Sequence, residues 1–239
     1  MSLPVARAAD DAARSVDPFA VVCDRPWLVA HFSAPRRMVS WSLNRPGFVV
    51  ARKVAWLEVR GADLAPGLDP ERWFTERLGA AGHADAVGMM TARNVACHHR
   101  AQAEVDGVRA DCLITLGLNN GERVGRRFEG PWLGPGTINM LCDVSVPLHD
   151  AALLEAASLV TQARTLAIIT SAYRRSGMAE SVTGTGTDCV VMSAPPGPDS
   201  ERFAGMHTAV GEAVGAASLR ATEAALVAWL AQNSVASDA

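Results

Sequence analysis

The stretch from Cys97 to Gly117, CHHRAQAEVDGVRADCLITLG, limits the fold more than any other part of the chain. Two strand-like runs flank Asp106-Gly107, a pair preferred in two-residue type I′ turns because both central residues need positive φ. The runs therefore read as an antiparallel hairpin, and the turn sets its register. Glu104 falls opposite Arg109 and Gln102 opposite Asp111, so cross-strand pairs of opposite or complementary polarity are built in.

The rest of the chain divides around residue 146. WLVAHFS (Trp27–Ser33) and RMVSWSL (Arg37–Leu43) read as two strands turning at Ala34–Arg36, and FVVARKVAWLEV follows as one or two more. AVGMMTA (Ala86–Ala92) and GTINMLCDVSV (Gly136–Val146) are further short strands, and DCVVMSA a later one. Asp69-Pro70 opens a helix over 70–81, with Asp at the cap and Pro at the first helical position. Asp150 is placed to cap a helix to about 173 with Ala152, Ala156, Leu159, Ala163 and Ala167 on one face, and a last helix runs over about 207–230. Strands gathered before 146 and helices after it predict an α+β fold, with mixed or antiparallel sheets packed by two long helices and a shorter one. We expect one domain over 19–233, a flexible segment at 1–18 and a flexible tail at 234–239.

Composition narrows the partners. The net charge of −3, with Lys53 the only lysine among 22 basic residues, offers no basic footprint for nucleic acid. No run approaches the roughly 18 apolar residues of a membrane span. Cys23, Cys97, Cys112, Cys142 and Cys189 show no C-x-x-C spacing and read as reduced thiols of a cytoplasmic protein. In a strand, His98 and His99 point to opposite faces and do not chelate one ion, so no metal site is expected.

Three constellations carry chemistry. In SVTGTGTDCVVM, Thr183, Gly184, Thr185, Gly186 and Thr187 alternate hydroxyls with bare backbone before Asp188. Such a turn offers N–H and O–H donors to an anion or a polarised carbonyl, and the acid a proton acceptor. In RFAGMHTAVGEAVG, His207 and Thr208 stand at a helix start, Thr208 shares a face with Glu212, and Gly211 and Gly215 form a bare stripe. The third pairs TLGLNNGERVG with GPGTINM, where Asn119, Asn120, Thr137 and Asn139 gather at strand ends and suit an amide-rich ligand.

Five blocks in chain order resemble one family, the adenosylcobinamide amidohydrolases of corrinoid salvage. They are VGMMTARNV (Val87–Val95), LITLGLNNGERVG (Leu113–Gly125), GTINMLCDVSVPLHDAAL (Gly136–Leu153), TGTGTDCVVM (Thr183–Met192) and FAGMHTAVGEAVG (Phe203–Gly215), within a likeness over residues 27 to 230. The resemblance implies hydrolysis of the amide joining the corrin acid to its aminopropanol arm, giving adenosylcobyric acid and aminopropanol. It implies a corrinoid as substrate, no further cofactor, and leaves room for a homo-oligomer. Two stretches depart from the family pattern. Trp41 and Pro46 stand in SWSLNRPG, where relatives carry Ser and Gly. Gln162 and Arg164 stand in TQAR, where relatives carry Glu and Lys.

For the hydrolysis, Asp188 or Glu212 is expected to activate water, with His207 as acid or partner. Thr183–Thr187 and nearby N–H groups would bind the developing oxyanion or the corrin amides, and Asn119 and Asn139 the ring amides. Thr185 or Thr187 as a covalent nucleophile is the variant. The departures motivate a second reading, a corrinoid carrier or sensor without hydrolysis.

Overall fold

The structure, a computed structural model, describes residues 17–130 and 134–234. The flexible ends expected from the sequence fall almost wholly outside these residues. Asp17 already touches the fold, its carboxylate accepting from Gln102 Nε2 at 3.1 Å and pairing with Arg100 at 3.2 Å.

The architecture is α+β. Eight strands of one mixed sheet are β1 (Phe19–Asp24), β2 (Trp27–Ser40), β3 (Gly47–Glu58), β4 (Val87–Thr91), β5 (His99–Val105), β6 (Val108–Leu116), β8 (Ile138–Val144) and β10 (Cys189–Ala194). A separate ribbon pairs β7 (Gly121–Glu122) with β9 (Gly184–Thr185), and the helices are α1 (Pro70–Ala80), α2 (Asp150–Thr170) and α3 (Ala209–Ser234). The order is β4-β3-β2-β10-β8-β6-β5, with β1 beside β2. β3 runs parallel to β4 and β8 parallel to β10; the other pairs in this sheet are antiparallel.

The hairpin forms as read: Gln102 faces Asp111, Glu104 faces Arg109, and the turn residues Asp106 and Gly107 have φ of 48° and 79°. The turn expected at Ala34–Arg36 does not form. β2 is one strand whose pairing with β3 slips between His31 and Arg36. An Ala-Pro pair reads as a turn, but Pro35, lacking an N–H, is equally tolerated at such a bulge. The slip bends β2, so its first half pairs with β1, a strand the sequence reading did not contain, and its second half with β10.

That bend curls the sheet until β4 meets β8, where Asn139 Nδ2 donates to the Met90 carbonyl at 2.7 Å. Inside the curl Leu28, Trp56, Met89, Leu113, Leu141 and Val191 form one apolar cluster. α2 and α3 cover the opposite face of β6, β8 and β10, packing Leu153, Val160, Val214 and Trp229 on Ile114, Met140 and Met192. Burying each such side chain contributes about 1.5–3 kcal/mol. α1 covers the outer face of β3 and β4 with Phe74 and Leu78. Gly88 makes that approach feasible, since a Cβ there would lie 2.6 Å from Phe74 Cζ.

The helix starts follow local chemistry. Asp69 accepts from the N–H groups of Glu71 and Arg72, a cap of about 1 kcal/mol. Asp150 is the first residue of α2 rather than its cap; the cap position is His149, without a side-chain bond, and the helix stops at Thr170. α3 begins at Ala209, later than expected, because Thr208 caps it: its Oγ1 accepts from Gly211 N at 3.0 Å. By length and hydropathy alone α2 and α3 pass as membrane spans, against the sequence expectation. Half or more of each apolar window is buried inside the fold, which accounts for their composition.

Candidate active site

Where β2 and β4 end and β8 and β10 begin, a cavity of ≈ 320 Å³ opens, with Trp41, Asn120, Thr137, Asn139, Thr187 and Asp188 on its wall. Four of the five sequence blocks converge here. The first supplies Met90 and Thr91, the second Asn120, the third Thr137 and Asn139, and the fourth Thr187 and Asp188. The curl of the sheet brings them together: the Asn139–Met90 bond pins β8 to β4, and the Thr137 hydroxyl donates to the Thr187 carbonyl at 2.9 Å.

Asp188 is the organising acid. Its Oδ1 accepts from Ile138 N at 3.0 Å and from the Thr185 hydroxyl, and its Oδ2 from Thr185 N at 2.9 Å. Arg164 Nη1, rising from α2, lies 3.0 Å from Oδ2. Burial pushes the Asp188 carboxyl above its ordinary value, against the opposing pull of Arg164 and of its hydrogen bonds. The other titratable residue on the wall, Cys189, is pushed up to about 12, first by burial. It is a thiol at neutral pH.

This explains the Thr/Gly alternation. Thr183 bonds the β7 side, donating its N–H to the Glu122 carbonyl at 2.8 Å and accepting Val124 N on its hydroxyl at 2.8 Å. Gly184 is bare because a Cβ would sit 2.5 Å from Asp188 Oδ2 and 3.2 Å from Arg164 Nη2. Thr185 binds Asp188, and Gly186 passes beside the Asn120 side chain. Only Thr187 turns an exposed side chain to the cavity, its hydroxyl held weakly to the Gly136 carbonyl at 3.4 Å. The loop is thus wrapped around a buried ion pair, and several of its donors are already engaged.

The remaining candidates lie elsewhere. His207 and Asn119 are exposed and absent from this wall, and Thr208 is the cap of α3. Glu212 lines a separate groove of ≈ 390 Å³ between α2 and α3, together with Gln162, Met206 and the stripe of Gly211 and Gly215. The structure does not bring His207 or Glu212 to Asp188. Among the described residues no three His, Cys, Asp or Glu side chains are grouped to hold a metal ion.

Both departures from the family pattern acquire positions. Gln162 is exposed on α2, outside the cavity. Arg164 is the buried partner of Asp188. Trp41 stands half-exposed on the cavity rim and donates Nε1 to the Asp188 carbonyl at 2.7 Å. The sequence marked Trp41 and Arg164 only as departures; an aromatic ring beside a bend and a cation within an apolar helix face were the available signals.

Residues 11–234 match the family described as adenosylcobinamide amidohydrolase. A protein of Halobacterium salinarum (strain ATCC 700922 / JCM 11081 / NRC-1), named adenosylcobinamide amidohydrolase, is 30% identical over 173 residues, covering 69% of each chain. Among solved structures, a Burkholderia sp. beta-aminopeptidase aligns with a TM-score of 0.43 and 14% identity, covering 85% of this chain and 78% of its own. The PH0078 protein from Pyrococcus horikoshii OT3 aligns with a TM-score of 0.43 and 11% identity over 84% of this chain and 77% of its own.

Proposed function

The chain belongs to the adenosylcobinamide amidohydrolase family, and from that premise we propose that it cleaves the amide between the corrin acid and its aminopropanol arm, releasing adenosylcobyric acid. The observation that carries this reading is the convergence of four sequence blocks on one cavity whose wall includes a single acidic residue, Asp188, beside several residues with amide and hydroxyl groups. A space of ≈ 320 Å³ takes the scissile arm and not the macrocycle. The ring then lies across the rim, on the exposed apolar surfaces of Trp41, Leu43 and Leu64.

Amide hydrolysis needs a proton acceptor for the attacking water, donors at the carbonyl oxygen and a proton for the leaving amine. Rotation of the Thr185 hydroxyl away from Asp188 Oδ1 leaves that oxygen free to accept a proton from water. The water oxygen bonds to the carbonyl carbon, and the negative charge moves to the carbonyl oxygen. Asn120 Nδ2, the second N–H of Asn139 Nδ2 and the Thr187 hydroxyl are the donors for that charge; one well-aimed donor contributes about 3 kcal/mol. Asp188 then returns its proton to the amine nitrogen as the C–N bond breaks, leaving acid and amine. A carboxyl raised by burial suits this exchange better than an ordinary one, because its proton affinity lies closer to neutrality.

The test is mass detection of aminopropanol and adenosylcobyric acid after incubation with adenosylcobinamide. Wild-type protein releases both, and Thr187→Ala slows release by about 100-fold, the loss of one donor at the developing charge. Corrinoid binding without release would overturn hydrolysis in favour of a carrier.

A further inference from the structure

A second cleft, of ≈ 600 Å³, lies beyond the wall formed by the end of β3 and the residues that follow it. Leu57, Glu58, Arg60 and Asp63 line it, while Val59 and Leu64 line the catalytic cavity. α1 divides in the same way: Trp73 and Arg77 face the second cleft and Phe74 the first. The second cleft therefore adjoins the amide site without being part of it, and its volume falls within the roughly 300–1,000 Å³ of small-molecule sites.

Its lining is specific. Trp27 and Trp73 are half-buried, packed at their base on the cluster of Val29, Leu57 and Phe74. The Arg77 guanidinium lies over the Trp73 ring, 5.2 Å from its centroid. Three arginines, Arg25, Arg60 and Arg77, meet two acids, Glu58 and Asp63, on this lining. Glu58 is already committed: it accepts from Arg25 Nε at 2.8 Å, again from Arg25 Nη2, and from Val95 N at 3.2 Å. Asp63 accepts the main-chain N–H of Arg60 at 2.7 Å. Arg60 and Arg77 form no ion pair among the described residues. The cleft thus presents two indoles, Trp27 edged by His83 and Trp73 beneath Arg77, beside two guanidiniums outside any close ion pair, with Arg60 within electrostatic reach of Glu58.

We propose that this cleft binds a nucleoside monophosphate, its base against Trp27 and Trp73 and its phosphate on Arg60 and Arg77. Indole faces attract flat aromatic rings, and a stacked arginine adds to that surface. The guanidinium fork matches two phosphate oxygens. Neither part alone accounts for the lining. An anion site has no need of two half-exposed tryptophans, and an aromatic site none of two arginines held outside close ion pairs. The nucleotide arrives either free or as part of a larger corrinoid.

Isothermal titration with AMP, adenosine and inorganic phosphate tests this on the whole chain. AMP is expected to bind saturably, with adenosine and phosphate each at least tenfold weaker. Arg77→Ala should weaken AMP at least tenfold while lowering the melting temperature only slightly, because Arg77 is exposed on α1 and gives up the stacking contact with Trp73. Arg77→Glu should abolish binding. Absence of AMP binding, equal binding of adenosine or of phosphate, or unchanged affinity in both variants would overturn the proposal. Displacement of AMP by adenosylcobalamin identifies the corrinoid-borne source; its absence identifies the free nucleotide. The AMP arm uses no corrinoid, so its failure leaves the amidase reading standing.

Discussion

Arg164 Nη1 lies 3.0 Å from Asp188 Oδ2 beneath the Thr/Gly turn, with both side chains less than a tenth exposed. The pair ties α2 to the loop that begins β10, and through Ile138 N to the start of β8. Removing one member leaves the other charge buried without its partner, at a cost of about 3–5 kcal/mol. Arg164→Met should show that loss in urea unfolding. Arg164→Met combined with Asp188→Asn should lose less than the two single changes added together, because no buried charge is stranded. Additive losses would mean that the two side chains act independently.

A second buried acid sets the pH response. Asp143 faces Asp111 across β8 and β6, receives the Ser193 hydroxyl at 2.7 Å and lies 3.2 Å from Arg36 Nε, with Arg109 also acting on it. Burial, the largest cause, pushes its carboxyl up to about 7, with Arg36 and Ser193 opposing. In the unfolded chain an aspartate titrates near ~3.9. The folded state therefore holds this proton more tightly. The contribution of Asp143 is complete below the unfolded value and is lost as pH rises through the folded one. The change is up to ~1.4 kcal/mol per pH unit within that window. Asp143→Asn removes the dependence, so its stability relative to wild type should climb between about pH 4 and pH 7 and then level off. Glu58, held low chiefly by its bond to Arg25, acts in the opposite sense. It is common to both proteins and cancels in the difference. Chemical unfolding across that range gives the curve.

The contrast between the β5–β6 hairpin and the Arg164–Asp188 pair shows what the sequence could disclose. The hairpin register was legible because a two-residue Asp-Gly turn fixes it locally, and with it the position of Asp111 opposite Gln102. Asn120, Thr137, Asn139, Thr187 and Asp188 stood out because Gly, Asn and Thr at strand ends mark places where backbone and ligand come close. Pairing Arg164 with Asp188 was not legible: it joins positions 24 apart in sequence through the packing of α2 on β10, which no local pattern specifies. The bend of β2 was hidden for the same reason. Pro35 marks a break in pairing, and only the partners β1 and β10 decide that the chain continues as one strand.

On the proposed reading, substitutions at Trp41 separate binding of the macrocycle from the chemistry at its arm. Its ring is half-exposed on the rim, while its Nε1 holds the Asp188 carbonyl. Trp41→Ala removes both the apolar surface and the bond. Trp41→Phe removes only the bond, a loss of about 1 kcal/mol. With adenosylcobinamide, the alanine variant should raise KM by about tenfold or more, in line with about 1.5–3 kcal/mol for a large side chain's burial. The phenylalanine variant should keep KM near that of wild type. A fall in kcat with KM unchanged in Trp41→Ala would place the ring's role at the reacting atoms instead.

Glu212 and His207 give the sharpest check on which surface does the chemistry. Glu212 lies in the groove between α2 and α3, beside Gln162, and His207 is exposed one residue before the cap of α3. Neither lines the cavity of Asp188, which opens where β8 and β10 begin. Proton transfer needs contact, or one intervening water, at about 2.6–3.2 Å per link. A side chain lining a different depression makes no such link. Glu212→Gln and His207→Ala should therefore keep kcat/KM within about twofold of wild type, under 0.5 kcal/mol in transition-state free energy. Asp188→Asn in the same assay should lose at least 100-fold, the contribution of a positioned acid or base. A loss of that size in Glu212→Gln, with the fold intact by circular dichroism, would move the reacting centre to the helical groove. Such a result would also make Gln162, which borders the same groove, a direct modulator of rate.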